Sequence, residues 1–203
     1  MRRLGIIFSL GYVATAWTAQ QPALKTRATA DGVLVTEDDA KVLFYQRATK
    51  SRNGKHERAN YVHPLYDLDG NVLTEDFPAD HLHHRGIFWA WHQLWMGDKM
   101  IGDGWSAKDM TWDVHGLQTS QGKDGSVSIQ VAVDWKSPQW HNGKKTLVKE
   151  TTLIRVYPRE CNFRKLDFNI RLRAVEPNTR LGGADNVKGY GGFSARIKLP
   201  KGI

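Results

Sequence analysis

The sequence has few features that would cross-link it or anchor it in a membrane. Its one cysteine, Cys161, has no partner in the chain, so no internal disulfide forms and a packed core must hold the fold together. There is no Lys/Arg run of five or more, no helix-turn-helix signature and no zinc-finger spacing, so the net charge of +8 does not predict nucleic-acid binding. Beyond residue 16 no apolar run approaches the roughly 20 residues of a membrane-spanning helix, so we expect no membrane span in the mature chain.

The start of the chain has the layout of a secretory signal peptide. Two arginines precede an apolar run over residues 4–16, and the small residues Ala16 and Ala19 offer cleavage positions. We therefore predict that residues 1–19 direct export to the periplasm or the extracellular space, and that residues 20–203 form a single domain. A buried N-terminal strand or helix is the alternative that this pattern leaves open.

The remaining chain has the periodicity of β-strands. Apolar residues alternate with polar ones over Ser126–Trp135, at the period of two that a half-buried strand requires. Arg164–Arg173 repeats the pattern, and short turn sequences join both segments to Thr146–Tyr157, which predicts an antiparallel meander. Further strands are expected at Gly32–Thr36 and Lys41–Arg47, across a turn at residues 37–40. Asp69-Gly70 is expected at the tip of a hairpin that joins residues 61–68 to residues 71–74, and no segment has a convincing helical period. The expected fold is all-β, an antiparallel β-sandwich.

The segment Tyr61–Trp95 concentrates the residue types that carry chemistry. It contains five of the eight histidines, three of the eight tryptophans, and an arginine directly after the densest histidine cluster. These residues are His63, His81, His83, His84, Arg85, Trp89, Trp91, His92 and Trp95. Such a density exceeds what packing requires, so we expect any chemistry to lie in this segment.

The same segment resembles a known protein family. Residues 63–65 (HPL), 69–70 (DG), 76–78 (DFP), 80–86 (DHLHHRG) and 88–89 (FW) are similar to the DUF6807 family. Residues 190–193 (YGGF) and Arg196 resemble the later glycine-rich strand of that family. The resemblance covers most of residues 30–200, and the sequence HHRG within it is fairly specific.

Members of the DUF6807 family are often labelled "PmoA family" or "methane oxygenase PmoA". A methane monooxygenase subunit would need several membrane spans, which we do not expect here, so the label does not predict the activity. The resemblance instead implies an exported β-sandwich similar to the galactose-mutarotase-like supersandwiches. Because members are commonly longer than this chain, the resemblance also implies a sandwich that is incomplete at its C-terminus.

The histidines and Arg85 suit acid–base chemistry on a sugar or uronic acid. Imidazoles exchange protons near neutral pH, and a guanidinium binds a carboxylate or a developing oxyanion. On an extended segment, His81 and His83 would share one face and His84 would point to the other. The predicted roles are proton transfer for His81 and His84, anion binding for Arg85, substrate positioning for His63 and His83, and ring stacking for Trp89 and Trp91. The first hypothesis is therefore a carbohydrate-active epimerase, lyase or hydrolase with a small-molecule or glycan ligand.

Three alternatives stay open at this point. The only cofactor that the sequence suggests is a divalent metal such as zinc, iron or copper. Its ligands would be His81 and His83, with His63 or an acidic residue. A non-catalytic sugar-binding module would use the tryptophans, with the histidines only forming hydrogen bonds. In a purely structural role the histidines would be satisfied rim groups, and Arg85 would pair with Asp76 or Asp80. The later tryptophans are assigned to the core or rim: Trp105, Trp112, Trp135 and Trp140.

Overall fold

A computed structural model describes residues 23–199, so the predicted signal peptide lies outside the described residues. This part of the chain is almost entirely β-structure, with one short 3-10 turn at His141–Gly143. The strands are β1 (Leu24–Ala28), β2 (Gly32–Glu37), β3 (Ala40–Gln46), β4 (Lys50–Arg52), β5 (Lys55–Arg58), β6 (Tyr61–Leu65), β7 (Ile87–Trp91), β8 (Gln93–Met96), β9 (Lys99–Gly102), β10 (Thr111–Gln121), β11 (Val127–Lys136), β12 (Val148–Val156), β13 (Leu166–Ala174), β14 (Thr179–Gly182) and β15 (Gly191–Ala195). Within residues 23–199 no helix is long and apolar enough to cross a membrane.

Two antiparallel sheets form the body of the fold. The larger has six strands in the order β1-β2-β3-β6-β7-β15, and the smaller has four in the order β10-β11-β12-β13. A three-stranded sheet, β14-β8-β9, and the hairpin β4-β5 complete the set. The predicted all-β antiparallel sandwich is therefore confirmed, whereas its likeness to the galactose mutarotases stays a prediction.

The predicted strands are observed with small changes at their ends. β11, β12 and β13 form the expected meander, and β2 and β3 form the expected hairpin. The hairpin predicted around Asp69 is shorter than expected, because β6 ends at Leu65 and only the bridge between Tyr66 and Val72 continues it. The Asp67 carboxylate instead organises a turn by accepting hydrogen bonds from the backbone N–H groups of Asp69 and Asn71, at 2.9 and 2.7 Å.

The apolar core lies between the two main sheets. Alternate residues of β11 are buried, as the period of two predicts, and they meet buried residues of β2 and β3. Fully buried members include Val33, Val35, Leu43, Ile129, Val133 and Ile154. Burial of each such side chain contributes roughly 1.5–3 kcal/mol, so this layer is the main source of stability for a chain without a disulfide.

One carboxylate lies inside this core and joins the two sheets. Glu150 on β12 is 2% exposed, and its Oε1 accepts hydrogen bonds from Trp89 Nε1 at 2.9 Å and Asn60 Nδ2 at 2.8 Å. Its Oε2 accepts from Trp135 Nε1 at 2.7 Å, and the Thr152 hydroxyl also donates to Oε1. Burial raises the pKa of Glu150, while these four donors act in the opposite direction. Trp89 thus belongs to a buried structural network.

Candidate functional site

Residues 76–86, here called the histidine loop, lead into β7. Two backbone hydrogen bonds close its base, from Gly86 to Glu75 O at 2.7 Å and from Phe77 to His84 O at 3.2 Å. Gly86 has a φ of +35°, and a Cβ there would lie 2.0 Å from Val62 O, so the base requires glycine. The loop is therefore fixed at its base against the strand β6.

The tip of the histidine loop brings three imidazoles together. The backbone N–H of His81 donates to Pro78 O at 3.1 Å, and that of His84 donates to His81 O at 2.9 Å, so the tip is a pair of turns. The His84 ring stacks on His81 and lies edge-on to His83, with 4.7 Å between ring centroids in both cases. The prediction that His84 would point away from His81 is wrong, because the segment is not extended.

These imidazoles line an open pocket of about 650 Å³, here called the histidine pocket. Four distant parts of the chain meet in it: the histidine loop, the junction of β7 and β8, the turn after β9, and β15 with the turn before it. The lining residues are His81, His83, His84, His92, Trp105, Lys188, Gly189, Tyr190, Gly191, Phe193, Ser194 and Arg196. Three of the predicted site residues, His81, His83 and His84, therefore lie in one cavity.

Trp105 forms an aromatic wall of the pocket. Its ring stacks on Tyr190 with 5.9 Å between centroids and on His92 with 5.5 Å. The Arg58 guanidinium holds the backbone behind this ring, donating to the carbonyl oxygens of Gly104 and Trp105. Sequence reasoning assigned Trp105 to the core or rim. It is only 8% exposed, yet its ring faces the pocket.

Two histidines of the pocket are each paired with an aspartate. Asp80 Oδ2 lies 2.9 Å from His81 Nδ1, and Asp103 Oδ2 lies 3.1 Å from His92 Nδ1. A carboxylate at Nδ1 favours a proton on that nitrogen, which leaves Nε2 free to accept or donate a proton. His92 was noticed in the histidine-rich segment but was given no role, because nothing in the sequence links it to Asp103.

Burial and mutual repulsion keep two of the loop imidazoles neutral. The pKa of His84 is lowered from 6.5 to about 4, first by burial and then by the neighbouring His83 and His81. The pKa of His83 is lowered by burial first and then by His81 and His56. In contrast, hydrogen bonds from His81 and Arg196 lower the pKa of Asp80 to about 2. At neutral pH the pocket therefore contains proton acceptors beside an ionised carboxylate.

Arg85 lies outside the pocket, and Arg196 supplies the guanidinium inside it. Arg85 is fully buried, pairs with Asp76 at 3.0 Å, and donates to the backbone carbonyls of Lys50 and His56. It therefore cannot reach a ligand in this conformation, so the predicted anion clamp is not formed by this residue. Arg196 follows β15, donates to Glu75 at 2.8 Å and to both oxygens of Asp80 at 2.8 Å. The sequence flagged Arg196 only through the family resemblance.

The predicted sugar platform and His63 also lie elsewhere. Trp89 is 2% exposed and donates to Glu150, while Trp91 packs against Trp135 with 6.1 Å between ring centroids. Both are part of, or packed against, the core, because β7 is an interior strand of the larger sheet, between β6 and β15. His63 Nδ1 lies 3.0 Å from Thr74 Oγ1, and burial lowers its pKa. None of the three lines the pocket.

The residues considered for a metal do not converge. His81 and His83 are neighbours, with 5.9 Å between ring centroids, but His63 does not line their pocket. Among residues 23–199, no group of three histidine, cysteine, aspartate or glutamate side chains is arranged to hold a metal ion. The geometry therefore gives the metal hypothesis no ligand set.

A second cavity of about 540 Å³ lies between the hairpin at residues 65–73 and the turn at residues 159–166. Its lining includes Cys161, which is exposed, and no histidine. Of its two carboxylates, Asp67 and Asp69, Asp67 is already occupied by the turn described above. The histidine pocket is therefore the better candidate for chemistry.

The family of this chain is shown by comparison with known families. A family model described as "Family of unknown function (DUF6807)" matches residues 32–200. The chain belongs to the DUF6807 family. The match confirms the resemblance seen in the sequence, and it includes every residue that lines the histidine pocket. No curated protein and no solved structure matches the chain, so the site must suggest the function of this DUF6807 protein.

Proposed function

We propose that this DUF6807 protein binds a sugar or uronic acid in the histidine pocket and carries out acid–base chemistry on it. The observation that supports the proposal best is that two histidines lining one cavity, His81 and His92, are each paired with an aspartate, Asp80 and Asp103. Epimerisation, elimination and hydrolysis each need one group that takes a proton and another that gives one. A pocket with two oriented imidazoles supplies both roles.

His84 is the proposed proton acceptor, and His81 and His92, each oriented by its aspartate, are the proposed proton donors. The pKa of His84 is lowered to about 4, so at physiological pH it is a neutral imidazole with an unprotonated nitrogen that faces no competing proton, although it is a weaker base than a free histidine. Asp80 orients His81, so that its Nε2 serves as the second proton carrier. His83 lies against both rings and would position a hydroxyl group of the ligand.

The walls of the pocket favour a sugar ring. Tyr190 is 49% exposed and stacks on Trp105, so its ring offers an apolar surface to the C–H face of a sugar, with Trp105 supporting it from behind. Lys188 also lines the pocket and would face the carboxylate of a uronic acid. The charge of Arg196 is largely compensated by Glu75 and Asp80, so Lys188 is the group that would distinguish acidic from neutral sugars.

Sugar binding without catalysis is the second candidate, and the same aromatic wall favours it. The two candidates differ in what they require of the carboxylates. A binding module needs Trp105 and Tyr190, whereas acid–base chemistry also needs Asp80 and Asp103 to orient their imidazoles.

A screen of neutral and acidic glycans tests the proposal, with calorimetry for binding and mass spectrometry for products. For the glycan that is turned over, Asp80→Asn and Asp103→Asn should each lower kcat by about 100-fold while changing affinity little. The control is His115→Ala, which removes a histidine 3.5 Å from Asp134 on the other sheet and should leave kcat unchanged. Binding without turnover would favour the module, and the absence of both would refute the proposal.

Export is proposed as well, on the sequence of residues 1–19. Expression of the full chain with and without these residues, followed by N-terminal sequencing of the secreted form, tests it. A protein that stays in the cytoplasm with residues 1–19 intact would refute export.

A further inference from the structure

The strand β13 is a long and regular strand at an edge of the smaller sheet. Its nine residues contain no proline and no glycine, and they pair with β12 without a bulge, from Val156 opposite Leu166 to Val148 opposite Ala174. Among residues 23–199 no strand pairs with its other side. A row of backbone N–H and C=O groups along that side is therefore available for pairing with another strand.

The other edges of the two main sheets are short or irregular. β10 is bulged between His115 and Gln118, and Gly116 there has a φ of +58°. β15 has five residues, two of them glycine, and β1 also has five residues. Short and bulged edges resist pairing with another chain, so β13 is the edge best suited to it.

The apolar face of β13 is also incompletely covered. Leu166, Phe168, Ile170 and Leu172 point to the core side but are only half-buried. The Phe193 ring, whose residue is 54% exposed, lies 5.1 Å from the Phe168 ring and lines an open cleft with it and Ile170. An occupant of this edge would therefore gain apolar burial in addition to backbone hydrogen bonds.

We propose that β13 pairs in antiparallel fashion with the β13 of a second copy of this chain, which joins two four-stranded sheets into one. The charges of the strand match themselves in this arrangement. With Ile170 opposite its own copy on the two-fold axis, Asp167 lies opposite Arg173, and Asn169 lies opposite Arg171. On the core side, Phe168 lies opposite Leu172.

The neighbouring registers are less favourable, so the charges also select the register. An axis at Arg171 would place that arginine opposite its own copy. An axis at Asn169 would place Lys165 opposite Arg173. Like charges directly opposite each other destabilise a strand pair, whereas the axis at Ile170 gives two Asp–Arg pairs and no like-charged pair.

A pair of charge reversals tests this dimer by analytical ultracentrifugation over a range of concentrations. Arg173→Asp alone sets Asp167 against an aspartate twice, and Asp167→Arg alone sets Arg173 against an arginine twice. Each variant should dimerise at least about tenfold more weakly than wild type, because two attractive pairs become repulsive. An equimolar mixture of the two should recover the dimer, because every pair is then Asp–Arg.

The control is Arg27→Asp, which reverses an exposed charge on β1 at an edge of the larger sheet and should not change the mass. Circular dichroism should show that all variants keep the β-fold. A wild type that is monomeric at every concentration would overturn the proposal. So would a dimer that Arg173→Asp leaves unchanged, or a mixture that dimerises no better than its components.

Discussion

Carboxylates with hydrogen-bond partners occur in the Glu150 network and beside the histidine pocket, but the two regions differ in how exposed those groups are. In the first, a buried carboxylate accepts hydrogen bonds from two indoles, an amide and a hydroxyl. In the second, Asp80 and His81 are about half exposed, and one nitrogen of each paired imidazole is not used by its aspartate. A polar group whose hydrogen bonds are all made inside the protein stabilises the fold, and one with capacity to spare can bind a ligand.

The pKa values of Glu150 and Asp80 are also shifted in opposite directions. Burial raises the pKa of Glu150, because water no longer stabilises its charge. Hydrogen bonds from His81 and Arg196 lower the pKa of exposed Asp80 to about 2. Asp80 is therefore ionised at neutral and mildly acidic pH, where it can orient His81.

Replacement of Glu150 should have the largest effect on stability. Glu150→Leu keeps the volume but leaves the indole N–H groups of Trp89 and Trp135 and the Asn60 amide without an acceptor. Each buried unsatisfied donor costs about 1–3 kcal/mol, so we expect the free energy of unfolding to fall by about 4 kcal/mol in urea titrations.

The matched control is Glu57→Leu, which removes an exposed carboxylate from β5 and should change the free energy of unfolding little. If Glu150→Leu were as stable as wild type, the hydrogen bonds to Glu150 would not stabilise the fold. In that case the assignment of Trp89 to the core, instead of the site, would lose its main support.

Arg58 borders the histidine pocket and also packs on Trp112, which contacts Trp135 of the Glu150 network, so its replacement should affect both regions. It is fully buried, lies over the rings of Trp112 and Phe88 at 4.4 and 4.9 Å, and donates to the carbonyl of Trp105. Arg58→Met should lower the free energy of unfolding by about 3 kcal/mol, since two carbonyls lose a charged donor. Ligand affinity should also fall, by about tenfold, because the Trp105 wall shifts.

Arg58→Lys sharpens this test. Burial and the nearby Arg85 lower the pKa of Arg58 to about 9, so the arginine is charged at neutral pH, whereas a lysine in the same buried position, with its lower ordinary pKa, would lose much of that charge. A lysine cannot hold both carbonyls in the same planar geometry, so we expect an intermediate loss in urea titrations and calorimetry. Equal affinities in wild type and Arg58→Met would show that Trp105 does not depend on Arg58.

The strands β2, β3, β11, β12 and β13 were predictable from sequence because each is specified by its own neighbours. The alternation of β11 reports burial of one face directly, and turn residues mark its ends. The histidine loop was not predictable, because its conformation depends on contacts with β6 and on successive turns that reverse the chain. The interval of two between His81 and His83 therefore had no bearing on which face they occupy.

The other residues of the histidine pocket lie far from the histidine loop in the sequence, so their proximity to it could not be predicted. Trp105, Tyr190 and Arg196 reach the pocket only because β7 lies beside β15 in the larger sheet and the turn after β9 folds back on Trp91. The local density of histidine, arginine and tryptophan in the sequence pointed to Trp89 and Arg85 instead. Local density is a sound guide to where a site lies, but it does not say which side chains point into the core.

His84 should make the histidine pocket sensitive to acid in a way that the Glu150 network is not. Its pKa is 6.5 when unfolded and about 4 when folded, so the unfolded chain binds more protons between these values. The stability it contributes is present above pH 6.5 and is lost as the pH falls towards 4. The loss should be on the order of 1 kcal/mol, because solvent screens this half-exposed site.

Thermal unfolding of His84→Gln across this pH range isolates the effect. The variant should lose less stability than wild type as the pH falls, since glutamine does not titrate. His115→Gln, at an exposed histidine on β10, is the control and should follow wild type. Identical acid profiles for His84→Gln and wild type would mean that His84 is not held neutral by the fold.

The smallest effect is expected at His63, which the sequence placed in the site and the structure places beside Thr74. His63→Gln keeps a polar group near Thr74 Oγ1, so we expect the free energy of unfolding to fall by no more than about 1 kcal/mol. Ligand affinity should stay within about twofold of wild type, because the side chain does not line the pocket. Calorimetry should compare the ligand affinities of His63→Gln and His83→Gln, since His83 does line the histidine pocket. A larger loss of affinity at His63 than at His83 would move the boundary of the binding site from the histidine pocket towards β6.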